Sequence, residues 1–179
     1  MSRIQCYIAT SIDGYIARKD HSIDWLESIS VPEGSDLGYG EFYNKIDTVI
    51  MGRKTYDEVM GFGVPWPYED AKCYIATSDL NYQTQTPNTH LVAEIDEKWI
   101  EKIKADSQQY IWLIGGGSLV SHFMKLDALD DLLITIIPIV LGDGVSLFPN
   151  NPPETPFDLT KVDDFGNGAV MLSYSKKGA

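Results

Sequence analysis

The sequence predicts an α/β fold, with a mostly parallel central sheet, helices on both of its faces and a closing antiparallel hairpin near the C-terminal end. Three observations carry this. Short apolar runs recur at residues 3–10, 48–51, 72–77, 89–93, 110–114 and 132–140, each of strand length and dense in branched apolar side chains, as strands buried on both faces are. Segments with helical spacing separate several of them, and strand–helix alternation builds parallel βαβ units. Toward the end the pattern changes: residues 169–175 put Val170, Leu172 and Tyr174 on one side, the period-two signature of a half-exposed antiparallel strand.

Taken in order, the first run enters Ser11-Ile12-Asp13-Gly14-Tyr15-Ile16-Ala17, with a turn at Asp13-Gly14. Residues 18–40 are polar and glycine-rich, include Pro32, and read as a long loop that carries Trp25. Loops of that length in compact domains are commonly functional. Phe42, Tyr43 and Ile46 have helical spacing. Residues 48–51 form a buried strand that runs into Gly52-Arg53-Lys54-Thr55, after which Tyr56, Val59 and Met60 share a helix face and Gly61 is a stop signal. Asp96 is placed to cap a helix whose Trp99, Ile100 and Ile103 lie together. The 110–114 strand feeds three glycines, and Leu119, Val120, Phe123 and Met124 continue as a helix. The 132–140 strand precedes the turn Gly142-Asp143-Gly144. With no repeat, low-complexity tract or linker, residues 1–179 read as one domain.

The net charge of −12 repels nucleic-acid backbones and anionic membranes, so neither is expected as a partner. No apolar run reaches the ~18 residues of a membrane span, and no leader pattern opens the chain, so a cytoplasmic location is expected. Cys6 and Cys73 are far apart, sit in apolar runs and lack metal-ligand spacing. They read as buried reduced thiols. The histidines His21, His90 and His122 are also widely spaced, so no metal site is expected.

The chemistry concentrates at strand ends. Ile114-Gly115-Gly116-Gly117-Ser118 places three glycines between a strand and a helix. An interior glycine costs about 1 kcal/mol relative to alanine, and a plain strand-to-helix turn needs one or two. Glycine lets backbone approach a ligand, and a helix start offers unpaired N–H groups to an anion. Ser118 can cap the helix or bind phosphate. The plain alternative is a tight turn packed on a neighbouring strand. The dinucleotide fingerprint G-x-G-x-x-G is not met, because Val120 stands where the third glycine belongs. Gly52-Arg53-Lys54-Thr55 is the second candidate: Arg53 can grip phosphate with its planar fork and Thr55 can donate a hydroxyl hydrogen bond. It is not a P-loop, because Asp47 stands where the first glycine belongs. The plain alternative is a solvated helix start, although cations there are unfavourable unless an anion compensates. Thr77-Ser78 closes a third strand, and its plain alternative is a pair of hydroxyls starting a turn. If the strands are parallel, all three ends share one sheet edge, where ligands gather in open α/β sheets.

In this ordered set the chain resembles the dihydrofolate reductase-like family, and within it the group holding the reductase domain of bacterial riboflavin biosynthesis. The resemblance runs from Ser11–Ala17 through Val49-Ile50-Met51-Gly52-Arg53-Lys54-Thr55-Tyr56, Thr77-Ser78 and Trp112-Leu113-Ile114-Gly115-Gly116-Gly117-Ser118-Leu119 to Gly142-Asp143-Gly144 and Leu147-Phe148-Pro149. It implies a dihydrofolate reductase-like three-layer fold, NADPH as cofactor, and contacts at Ala9, Ile16, Gly52, Arg53, Lys54, Thr55, Thr77, Ser78 and Ile114 through Leu119. It implies that Arg53 with Thr77 or Ser78 holds the adenosine 2′-phosphate, and that Thr55 and the glycine turn hold the pyrophosphate. The family's substrate carboxylate falls on Asp36, counting back from Gly52 without gaps. Aligning on Phe42 moves it to Gly38, with Glu41 nearby. Asp13 or Asp36 is then a candidate to orient substrate or steer a proton, and Trp25 a candidate to cover the ring. The alternatives are turn or cap carboxylates and a loop anchor.

The implied activity is hydride transfer to a small heterocycle, most like 5-amino-6-(5-phosphoribosylamino)uracil reductase or a dihydrofolate reductase-like enzyme, without the deaminase domain often fused to the former. A homodimer paired through sheet edges is also implied. A non-catalytic nucleotide-binding module is the competing function, and a hydrolase built on the acidic residues a third.

Overall fold

The computed structural model describes residues 2–31 and 33–178. Pro32, one of the turn formers in the long loop, lies outside them. The elements follow as β1 (Ile4–Ser11), β2 (Tyr15–Ala17), a 3-10 helix (Asp24–Ser28), α1 (Tyr39–Tyr43), β3 (Ile46–Gly52), α2 (Arg53–Gly61), β4 (Lys72–Ala76), β5 (Thr89–Val92), α3 (Glu97–Asp106), β6 (Tyr110–Gly115), α4 (Gly117–Lys125), β7 (Asp131–Ile137), β8 (Val145–Ser146), β9 (Phe157–Asp164) and β10 (Val170–Lys176).

Eight strands form one sheet in the order β5-β4-β3-β6-β1-β7-β10-β9. The first six are parallel, β10 is antiparallel to β7, and β9 is antiparallel to β10. The expected closing hairpin is therefore β9–β10. Its first strand escaped the sequence reading because Phe157–Asp164 lies at the sheet edge with one neighbour and is mostly exposed, so its polar residues do not alternate cleanly. A second, two-stranded sheet pairs β2 with β8.

Both faces of the parallel core are covered, which explains its uniform hydrophobicity: Val49, Ile50 and Met51 on consecutive positions are all fully buried. One face packs Ile50, Ile111 and Leu113 against Ile100 and Ile103 of α3 and Val120 and Phe123 of α4. The other packs Val49, Met51, Ile75 and Trp112 against Phe42 of α1 and Tyr56 and Val59 of α2. Helices α1 and α2 thus cover one face and α3 and α4 the opposite one.

Three local expectations shift. Ile46 begins β3 rather than continuing a helix, because Tyr110 of β6 pairs with it. Strand β7 stops at Ile137, one residue before Pro138, which has no N–H for a sheet. The 18–40 loop is not structureless, since the 3-10 helix lies within it and buries Trp25.

Candidate functional site

Parallel alignment places the C-terminal ends of β4, β3, β6 and β1 side by side along one edge. Gly52 pairs with Ala76 and Met51 with Gly115, so Gly52–Thr55, Thr77–Ser78 and Gly115–Ser118 are neighbours. After β3 the chain turns into α2 on one face; after β6 it turns into α4 on the other. The gap between those two ends is the topological switch point, where ligands bind in open α/β sheets.

Both helix starts at this gap are electrostatically open. Helices α2 and α4 lack a side-chain cap and have no acidic residue in the first turn. Helix α3 differs: Asp96 accepts the Trp99 N–H at 2.8 Å. The uncapped N–H groups and the positive ends of the helix dipoles favour an anion. Arg53 and Lys54 are exposed, and among the described residues neither forms an ion pair. The Arg53 guanidinium stands 5.6 Å from the centre of the Tyr82 ring.

The glycines divide by what requires them. Gly115 has φ of +123°, a conformation other residues rarely adopt. A Cβ on Gly117 would collide with the Ser146 carbonyl oxygen and stand 3.0 Å from that of Leu147, so packing under β8 excludes any side chain. Gly116 and Gly52 are different. A Cβ on Gly116 would meet only the Thr55 hydroxyl at 4.0 Å, and one on Gly52 only the Gly115 carbonyl at 3.9 Å. Gly52 has φ −73° and ψ 155°, ordinary extended backbone. Neither position needs glycine for space, and both face the gap. Ser118 is not the cap: α4 begins at Gly117, and the Ser118 hydroxyl accepts from Asn150 Nδ2 at 3.2 Å.

The flanking candidates divide among the packing clusters. Ala9 packs on Trp25 and Ile137. Ile16 and Leu119 pack on the α4 side and Ile114 on the α2 side. Ser146 links Tyr15 of β2 to Gly117, so the β1–β2 connection borders the start of α4.

The three residues singled out for substrate or proton handling have structural partners. Asp13 Oδ1 accepts the Ser11 hydroxyl at 2.6 Å and the Leu141 N–H at 3.1 Å, and Oδ2 the Gly142 N–H at 2.7 Å. The Ser11 hydroxyl first, then these N–H groups, hold the carboxyl below its usual range. Asp13 thus remains ionised at neutral pH and ties the β1–β2 turn to the segment after β7. Asp36 accepts the Gly38 N–H at 2.9 Å and the Gly40 N–H at 2.7 Å. It precedes α1 and organises its first turn, and those N–H groups lower its pKa. Trp25 is only 2% exposed, packed among Ile137, Ala169, Leu26 and Phe165. It is a buried core anchor in the cluster that Ala9 packs against, rather than an exposed lid. Cys6 and Cys73 are free and buried, with burial pushing the thiols up to about 12 and about 11.

The residue that sequence reading missed is Tyr82. It follows Thr77-Ser78 in an irregular segment with no periodicity, and only the tertiary return of that segment onto α2 brings it to Arg53.

Such a fold and strand-end arrangement define a doubly wound α/β protein whose switch point is receptive to an anion. A family profile described as the RibD C-terminal domain matches residues 2–171. The chain belongs to the RibD C-terminal domain family. It is 43% identical over 169 residues to the uncharacterized protein YwjB of Bacillus subtilis, covering 94% of each chain. It is 29% identical to the uncharacterized protein YyaP of the same organism, over 98% of this chain and 96% of that one. Among solved structures, a Shewanella sp. PV-4 protein provisionally named for riboflavin biosynthesis superposes with a TM-score of 0.85 at 32% identity, over 99% of both chains. A pyrimidine reductase-like protein of Corynebacterium diphtheriae shares the fold at a TM-score of 0.67 and 16% identity, over 99% of this chain and 93% of that one. Acinetobacter baumannii RibD does so at the same TM-score and identity, with this chain matching 58% of its length. No helix among the described residues is long and apolar enough to cross a membrane.

Proposed function

We propose that this chain is an NADPH-dependent reductase of a small heterocycle, most like the 5-amino-6-(5-phosphoribosylamino)uracil reductase of riboflavin biosynthesis. One observation carries the reading: two uncapped helix starts and a cationic pair meet at the switch point, bordered by two glycines beside which the fold leaves the Cβ space open.

These residues fit a dinucleotide. The N–H groups at the starts of α2 and α4, with the Thr55 hydroxyl beside Gly116, suit a pyrophosphate. Arg53, next to the end of β4 with Thr77 and Ser78, suits the 2′-phosphate that distinguishes NADPH from NADH. When bound, the reduced nicotinamide supplies hydride to an electrophilic carbon of the heterocycle. The chain's own task is to orient the two rings and exclude water. Ala9 is small enough to admit a flat ring beside β1, and it packs against the cluster that holds Trp25. Asp36 accepts one N–H on each oxygen, from Gly38 and Gly40, so each oxygen keeps an acceptor site for a substrate amine.

The test is substrate-dependent loss of NADPH absorbance with 5-amino-6-(5-phosphoribosylamino)uracil, then with a panel of pyrimidines and pterins. Turnover supports the reading. NADPH binding without turnover on any of them refutes the reductase and leaves a nucleotide-binding module. Arg53→Ala is expected to weaken NADPH far more than NADH; equal weakening overturns the 2′-phosphate role. The same reading carries a homodimer joined through sheet edges. The edge strand β9 exposes Leu159 and Val162, and sedimentation measures the assembly.

A further inference from the structure

We infer that Tyr82 is a positioning residue that keeps Arg53 available to an anion, and so sets the choice between NADPH and NADH. This rests on the NADPH reading above and goes beyond it by naming the residue that arms the arginine.

Arg53 and Asp57 lie four positions apart on α2, a spacing that brings side chains together on one helix face. An arginine and an aspartate so placed are within reach of one another, and a pair between them would occupy guanidinium donors. Here they do not. Asp57 Oδ1 instead accepts the phenolic O–H of Tyr82, while the ring of that tyrosine lies under Arg53 with its centre 5.6 Å from the guanidinium carbon. One side chain therefore performs two tasks: its hydroxyl takes the competing carboxylate, and its π face supports the cation without using its N–H donors.

The segment carrying Tyr82 is fastened to α2. The Gln85 N–H donates to the Tyr56 hydroxyl at 3.0 Å, and that hydroxyl lies 3.1 Å from Thr86 Oγ1. Tyr56 is 1% exposed, so the anchor is part of the core. The rings of Tyr56 and Tyr82 meet edge to face at 6.1 Å between centroids. Nearer β4, the Asp79 N–H donates to the Thr77 hydroxyl at 3.1 Å. The strand end proposed to meet the 2′-phosphate and the tyrosine that supports Arg53 thus belong to one short, pinned turn.

The experiment measures dissociation constants for NADPH and NADH on five proteins: wild type, Arg53→Ala, Tyr82→Ala, Tyr82→Phe and the double variant Tyr82→Phe/Asp57→Asn, each with its circular dichroism spectrum. Tyr82→Ala loses the ring and also releases Asp57, so it is expected to weaken NADPH by about five- to tenfold and NADH hardly at all. Tyr82→Phe retains the ring but releases Asp57, so it weakens NADPH by about two- to threefold, and adding Asp57→Asn restores the wild-type value. A purely structural role for Tyr82 would weaken both cofactors alike and give no rescue; either result overturns the inference. If wild type shows no preference for NADPH, or Arg53→Ala leaves that preference intact, the underlying reading fails instead. If Arg53→Ala abolishes the preference while both single Tyr82 variants match wild type, only the inference about Tyr82 fails.

Discussion

Gly52→Ala separates what the fold needs at the switch point from what a ligand needs. The backbone there, at φ −73° and ψ 155°, suits alanine, and the added methyl carbon meets only the Gly115 carbonyl at 3.9 Å. Removing glycine from the unfolded chain stabilises by about 0.4–1 kcal/mol. Losing glycine from the position before the first turn of α2 costs about as much, since alanine is poor there. The two nearly cancel, so the melting temperature should move by no more than about 2 °C. Binding should respond differently. The methyl projects into the gap between two strand ends where a phosphate would lie against backbone, and an overpacked contact of that kind costs about 1–3 kcal/mol, or about 5- to 150-fold in affinity. Gly117→Ala is the control. Its methyl strikes the Ser146 carbonyl oxygen and the Pro149 ring, so a similar cost falls on folding and lowers the melting temperature by several degrees. Thermal denaturation and NADPH titration by fluorescence read both effects. A folded Gly52→Ala protein that binds NADPH within twofold of wild type refutes the placement of the cleft.

Trp25→Ala should cost about 3–5 kcal/mol by opening a cavity beside Ile137 and Ala169, measured by urea denaturation; a cost below 1 kcal/mol would show that the ring is not a core anchor. Burial pushes the Asp131 carboxyl up, but hydrogen bonds from Arg3, Ser175 and Gln5 outweigh it and hold the folded value below 3.8. The stability it contributes is therefore complete above that unfolded value and is lost as pH falls through the lower folded one. Asp131→Asn should flatten the fall of melting temperature below about pH 4, and an unchanged acid slope would contradict this. Asp13→Ala should speed amide hydrogen exchange at Leu141 and Gly142, whose N–H groups it holds, with unchanged exchange counting against its role as a loop tie.

The sheet core was legible because burial on both faces demands apolar residues at successive positions, as at Val49, Ile50 and Met51. The helix starts after Gly52 and Gly116 were legible for a related reason: local backbone chemistry marks them. Edge strand β9 was not, because a strand with one neighbour and little burial places few demands on its side chains. Nor was the brief β2–β8 pair, where Tyr15 meets Ser146 only through a contact distant in sequence.

The candidate site divides in the same way. Glycines, adjacent cations and hydroxyls at strand ends are properties of short segments, so the sequence alone determined which residues could face a phosphate. Whether those segments meet depends on strand order and direction. Only the tertiary structure decided that β4, β3, β6 and β1 stand side by side, that Gly117 answers to packing while Gly52 and Gly116 do not, and that Tyr82 rather than Arg53 engages Asp57. The physical reason is that hydrogen-bond partners and steric neighbours far apart in the chain are assigned by packing, which no local pattern encodes.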